Sequence, residues 1–356
     1  MIAIIITYRN RDLNIVKKCL DSLQLQKNKE FQLYLIDYGS DANYSTGLKE
    51  LSINYDFLNL FSYPVKGQLW NKSRAINIVL NKITTEYVFI GDIDMMYHED
   101  FISTLYKYKN ENGAIYFKVG YLNEVESKLI KPFNDYKINH YSNHEATGMT
   151  LYNREKLMAI NGYDEYYHGW GSEDTDVHFR FVNSGYEVNY FDSSILMLHQ
   201  WHPKTYRSKD SLAPFHSKLE QINSAYLLFS KKNNIIQSNK DFVFGLEPND
   251  KEYLKLEKPS RKISITNEVN EIKSFLNGSI SNFKNVCVEF NFVHHPQLNS
   301  LKNKLKRKLK KKHLVFYSLE DVNNMLIETI IMNYRNNPYN LFFDRNKQIL
   351  KLIIVL

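Results

Sequence analysis

The stretch YVFIGDIDMMYHEDF, residues 87–101, opens as an apolar run and stops on two carboxylates, Asp92 and Asp94. A short apolar run rich in β-branched and aromatic residues reads as a buried strand. Buried strands rarely finish on two acids, because a lone buried carboxylate is costly and calls for a positive partner. In extended chain, residues two apart point the same way, so both acids can face one pocket. Two hard oxygen ligands suit Mg2+ or Mn2+, ions that keep waters and bind a substrate's phosphates through one or two carboxylates. Acid pairs also cap helices and fill turns, so the pair takes its meaning from what surrounds it.

Working outward, IAIIIT (2–7) and FQLYLID (31–37) read as further buried strands, and Leu13, Val16, Leu20 and Leu23 recur between them at helical spacing. Such a βαβ opening implies a parallel sheet with helices on its faces. NKSRAINIVLNK (71–82) reads as another helix and EYVFIGD (86–92) as the next strand. Ligands of open parallel sheets bind beyond the carboxyl ends of the strands. Thr7 to Arg9, Asp37 to Asp41 and Asp92 to Asp94 all fall at such ends. Leu212, Phe215, Leu219, Ile222, Tyr226 and Phe229 predict an amphipathic helix. The turn-rich NKDFVFGLEPND (239–250) predicts a boundary, and residues 261–293 read as strand, helix, strand. The expected organisation is an α/β catalytic-type domain over 1–235 and a small α/β accessory unit over 240–356.

The bulk numbers fit that division. The chain has 356 residues, and its net charge of +7 is uneven. KNKLKRKLKKK (302–312) holds eight basic residues and no acid; subtracting those eight from +7 leaves −1 for the rest. Leu298, Leu301, Leu305 and Leu309 form one stripe of a predicted basic helix over 298–313. The favoured reading is a helix packed by its leucines. The second is contact with an anionic membrane surface, and the third is an anionic polysaccharide or nucleic acid. The 26 tyrosines fit either compositional drift or a half-wet groove. Cys19 and Cys287 match no metal or redox spacing. MIAIIIT lacks the basic n-region of a signal peptide, and no apolar run approaches the ~20 residues of a membrane span. The expected location is the cytoplasm, any peripheral contact being with the inner face of the plasma membrane. Among the 13 glycines there is no P-loop, dinucleotide or nucleotidyltransferase fingerprint.

Two more segments carry chemistry. In NGYDEYYHGWGSEDTDVHFR (161–180), glycines flank Trp170, and Glu173, Asp174 and Asp176 follow. Acids are welcome at a helix start, but a Trp between two glycines is an odd cap. A Trp face suits the apolar face of a sugar, and a carboxylate beside it can take a hydroxyl proton. In LMLHQWHP (196–203), His199 and His202 bracket Trp201, and an imidazole could complete a Mn2+ site begun by Asp94.

ITYRNR, LIDYGSD, WNKSRAIN, GDID and GYDEYYHGWGSEDTDVHFR, in that order, resemble the GT-A glycosyltransferases, in particular the inverting family 2 enzymes that include capsule and chondroitin-type polymerase modules. The G-W-G-x-E-D loop also resembles that of the β-1,4-galactosyltransferases. The resemblance spans about residues 1–205. It implies a GT-A fold and a metal-dependent, inverting transfer of a sugar from a UDP-sugar to an acceptor hydroxyl, in bacterial surface polysaccharide or lipid-linked glycan synthesis. By this resemblance Thr7, Tyr8 and Arg9 border the base, Asp37 holds uracil or ribose, and Asp41 shapes the same turn. Arg74 reaches the base or diphosphate. Asp92 contacts the ribose or metal waters, Asp94 ligates the metal, and Trp170 meets both sugars. Asp174 resembles the base, with Glu173 holding hydroxyls. His199 resembles the late metal ligand, and His202 leaves that choice open. Ser172 stands where glycine is commoner. The rival reading is a non-catalytic nucleotide-sugar- or glycan-binding subunit of a synthase complex; the presence of Asp94, Asp174 and His199 argues against it. A nucleic-acid partner is not expected.

Overall fold

The structure, a computed structural model, describes residues 1–204 and 214–356. The chain divides into two compact units. One is Met1–Tyr63, Trp70–Tyr206 and Leu219–Glu247; the other is Pro64–Leu69, Arg207–Lys218 and Pro248–Leu356.

The strands of the first unit, in chain order, are β1 (Ile2–Tyr8), β2 (Phe31–Tyr38), β3 (Leu58–Tyr63), β4 (Tyr87–Asp92), β5 (Met95–Tyr97), β6 (Gly113–Phe117), β7 (Gly120–Tyr121), β8 (His140–Tyr141), β9 (Thr150–Asn153), β10 (Glu187–Phe191) and β11 (Met197–His199). Its main sheet has the order β10-β6-β9-β4-β1-β2-β3. The apolar run of β1 is buried throughout because it lies inside the sheet, parallel to β2 on one side and β4 on the other. Each isoleucine buried there is worth about 1.5–3 kcal/mol. Every neighbouring pair is parallel except those of β9, which runs antiparallel between β4 and β6. This is the α/β, mainly parallel architecture expected of the GT-A fold.

Helices Leu13–Gln24 and Lys72–Lys82 occupy the predicted places. The first buries Val16, Cys19, Leu20 and Leu23, the stripe read from the sequence. The helix expected from Leu212 onward begins instead at Leu219 and ends at Lys232. Phe215 precedes it, and Leu212 lies outside the described residues. A second, smaller sheet, β5-β11-β7-β8, sits at the carboxyl end of β4.

The second unit carries β12 (Arg261–Thr266), β13 (Cys287–Val293), β14 (Tyr339–Asp344) and β15 (Ile349–Val355), in the order β12-β13-β15-β14. Phe290, Phe292, Leu352 and Ile354 form its buried side, with Val322, Leu326 and Ile327 of helix Leu319–Thr329 also buried. The basic helix is shorter than expected, Leu301–Lys308, and the leucine stripe is not a packing face: Leu301, Leu305 and Leu309 are 82%, 58% and 56% exposed. Periodicity fixes which side chains share a face but not whether anything covers it. The tyrosines also differ from the groove reading: Tyr8, Tyr38, Tyr116, Tyr152, Tyr163 and Tyr339 are fully buried.

Candidate active site

The carboxyl ends of β1, β2 and β4 lie side by side, with Thr7 beside Asp92 and Tyr8 beside Asp37 in register. Asp37 is buried and accepts a bond from the Ser40 amide at 3.1 Å. Burial, then the nearby Asp37, raises the Tyr8 phenol well above its ordinary pKa. Asn10, in left-handed backbone with φ 50°, joins the two loops. It donates to Asp41 Oδ2 at 3.0 Å and accepts from the Asp41 amide at 2.7 Å. Arg9 is half-buried beside it.

After Asp92 the chain does not stay extended. Ile93 and Asp94 form a turn into β5, so the two acids separate instead of sharing one direction. β5 pairs antiparallel with β11, which sets His199 opposite Met95, and the Gln200 amide donates to the Asp94 carbonyl at 2.8 Å. Backbone pairing thus brings the His-Gln-Trp-His turn against Asp94. Asp94 is buried, with His202 Nε2 3.1 Å from Oδ2 and His199 Nε2 3.5 Å from Oδ1. Arg11 Nη2 stands 3.3 Å from Oδ2. Burial would raise the carboxyl pKa, but His199, His202 and Arg11 outweigh it and hold the group below the ordinary carboxylate range. Ligand atoms of Asp94, His199 and His202 lie within 4.8 Å of one another. Asp94 Oδ1 is buried without a hydrogen bond, a lone pair left for a cation. One carboxylate and two imidazoles suit a divalent transition ion. Asp92 is outside this trio.

Asp92 turns to Lys72, whose Nζ lies 3.0 Å from its Oδ1. The same ammonium is 3.4 Å from Asp174 and 3.7 Å from Glu173. Lys72 opens helix Lys72–Lys82, and Glu173 and Asp174 open helix Glu173–Asn183. Burial opposes the Lys72 charge, but Asp174, Asp92 and Glu173 prevail and raise its pKa well above the usual value. Burial, then repulsion from Asp174, lifts Glu173 to about 7. Burial also raises Asp174, with Lys72 opposing, and its Oδ1 has no hydrogen-bond partner.

The approach to this helix is a tight loop. Gly169, Gly171 and Ser172 all have positive φ, at 74°, 96° and 80°. Trp170 between them is 52% exposed. The loop hangs from Asn223, whose amide donates to the carbonyls of His168, Trp170 and Gly171 at 3.0, 3.4 and 3.3 Å. Asp176, from the same acidic run, instead accepts from Arg180 Nε at 2.6 Å inside the core.

Two family models match in succession, "Glycosyl transferase family 2" over residues 3–160 and "N-terminal domain of galactosyltransferase" over residues 128–202. They cover the segments that carry these residues. The chain is a glycosyltransferase, family 2-like over residues 3–160.

The glycosyltransferase is similar to several solved structures. One is the catalytic domain of Drosophila beta1,4-galactosyltransferase 7 in complex with xylobiose, at 17% identity and TM-score 0.39, over 63% of this chain and 79% of that one. Another is the mannosyltransferase PcManGT from Pyrobaculum calidifontis in complex with GDP-Man and Mn2+, at 13% identity and TM-score 0.43, over 94% and 87%. A third is GalNAc-T7 with UDP, GalNAc and Mn2+, at 12% identity and TM-score 0.47, over 64% and 47%.

Of the site residues expected from sequence, Thr7, Tyr8, Asp37, Asp41 and Asp92 meet at the strand ends of the glycosyltransferase. Glu173 and Asp174 meet Asp92 through Lys72, and Asp94, His199 and His202 form the metal-capable trio. Arg74 is placed elsewhere: its guanidinium donates to the Leu246 carbonyl, Nε at 3.1 Å and Nη2 at 2.9 Å. Two positions from Lys72, it points about 200° around the helix. Sequence reading missed Lys72, Arg11 and Asn223. Lys72 carried a signal, since a cation in a first helical turn opposes the helix dipole and needs anionic company.

Proposed function

We propose that this glycosyltransferase moves a sugar from a UDP-sugar to an acceptor hydroxyl with inversion, the acceptor being a bacterial surface glycan or its lipid-linked precursor, in a reducing, cytoplasmic setting. The observation that carries the reading is two charge systems beyond the carboxyl end of β4: the Asp94–His199–His202 trio, and Lys72 set among Asp92, Glu173 and Asp174. The buried, unpaired cysteines suit the compartment.

The acceptor oxygen attacks the anomeric carbon as the carbon–oxygen bond to the diphosphate breaks, and the leaving UDP keeps the bonding electrons. Asp174, with a free Oδ1 in a dry setting that favours proton uptake, takes the acceptor proton, a contribution of roughly 10²–10⁴ in rate. Glu173 holds sugar hydroxyls. One displacement turns an α-linked donor into a β-linked product, through a charge-deficient anomeric centre like that of glycoside hydrolysis. Asp94, His199 and His202 would hold Mn2+ or Mg2+, which when bound supplies positive charge to the leaving diphosphate. Asp37 and Asp41 face the nucleoside end, and Trp170 offers its exposed ring to the sugars.

The test is thermal stability with UDP, GDP, CMP and UDP-sugars, each with Mn2+, Mg2+ or EDTA. A ligand at 100 times its Kd adds about 2.7 kcal/mol. Stabilisation by a UDP-sugar only with metal is the expected result. No response to any nucleotide overturns the reading and favours a glycan-binding subunit.

A further inference from the structure

Helix Leu301–Lys308 has one side joined to its own unit and one side open. Asn303 makes the attachment, donating to the Leu314 carbonyl at 3.0 Å and accepting from the Leu314 amide at 2.9 Å. It is the only residue of 301–312 that is not exposed. At about 100° per residue, Leu301, Leu305 and Leu309 span an arc of roughly 80°, centred about 160° from Asn303. The leucines therefore point away from the side that Asn303 ties down, and they are 82%, 58% and 56% exposed. Lys302 and Lys308 flank the stripe, with Lys304 and Lys306 further round, and all eight basic side chains of 302–312 are exposed with no acid among them.

We infer that this face is a docking surface for an anionic lipid bilayer. A solvated face has no use for three leucines, and a purely polyanionic partner would use the cations alone. An interfacial helix uses both, seating apolar side chains at the headgroup boundary while cations pair with anionic lipid. The surface belongs to the second unit alone, so the inference stands apart from the donor and acceptor proposed above.

The experiment is flotation of the full chain with vesicles, phosphatidylcholine alone or mixed with phosphatidylglycerol, at about 0.05 M and about 1 M salt. The expected result is binding to the anionic vesicles at low salt, lost at high salt and absent on neutral vesicles. Leu301→Asn/Leu305→Asn/Leu309→Asn, which changes only exposed side chains, should melt like the wild type yet lose about tenfold or more of its vesicle binding. No binding of the wild type to anionic vesicles overturns the proposal. So does full retention of binding by the leucine variant, and so does heparin or RNA binding that survives the leucine changes without any vesicle binding. Because flotation needs no substrate, an inactive protein that still floats refutes only the proposed reaction.

Discussion

Lys72 and Asp174 begin two different helices, and their charged ends meet 3.4 Å apart. The contact, with Asp92 and Glu173 on the same ammonium, gathers three carboxylates round one cation in a largely buried place. Removing the cation leaves like charges facing each other. Lys72→Met should therefore cost about 3–5 kcal/mol near pH 8 and less at pH 5, where the acids can protonate. Melting curves at the two pH values measure the difference; equal losses would mean the lysine acts through packing alone.

Asp174→Asn keeps the shape of the side chain and removes its ability to take a proton. Transfer should fall roughly 10²–10⁴-fold while UDP binding, followed by calorimetry, stays within about twofold. Unaltered transfer would take Asp174 out of the base role.

The metal trio predicts a different pattern. Mn2+ should raise the melting temperature of the wild type, and Asp94→Ala should abolish that rise. His199→Ala and His202→Ala, measured side by side, rank the two imidazoles. Equal Mn2+ stabilisation of the Asp94 variant would place the ion elsewhere.

Glu173 gives a pH dependence whose sign is fixed. Its pKa is raised on folding to about 7 from the ordinary 4.5. Between those values the folded protein binds more protons than the unfolded chain, so stability is fully present below about pH 4.5 and lost as pH rises through 7. Glu173→Gln should flatten this fall, by roughly 1–3 kcal/mol across the window. Denaturant titrations from pH 5 to 8 would check it.

Ser172 is a serine in left-handed backbone whose side chain caps nothing. Glycine adopts that conformation without Cβ strain, so Ser172→Gly should stabilise the chain by about 0.5–1 kcal/mol. Ser172→Ala should leave stability unchanged within about 0.5 kcal/mol.

Much of the scaffold was legible because its signals are local. The apolar runs at 2–7, 31–37 and 86–92 became adjacent strands, and sheet chemistry put their carboxyl ends together. The reversed strand β9 was not legible: TLYN reads the same whichever way it pairs. The separation of Asp92 from Asp94 was hidden too, because whether chain continues straight past a strand end depends on which strand waits beyond it; here β11 draws Asp94 into a turn. Lys72 was visible only as a misplaced charge. Asn223 gave no signal, since its acceptors lie more than 50 residues away. The leucine stripe was recognised as a face and assigned the wrong environment.

Asn223 has one more consequence. A side-chain amide owns two hydrogens, yet three carbonyls of the tryptophan loop lie within its reach. Three acceptors face two hydrogens, so one hydrogen is shared between two of the carbonyls. The loop bearing Trp170 is thus hung on a single peg: one residue of helix Leu219–Lys232 serves three of its carbonyls, and removing that amide would strip this partner from all three at once.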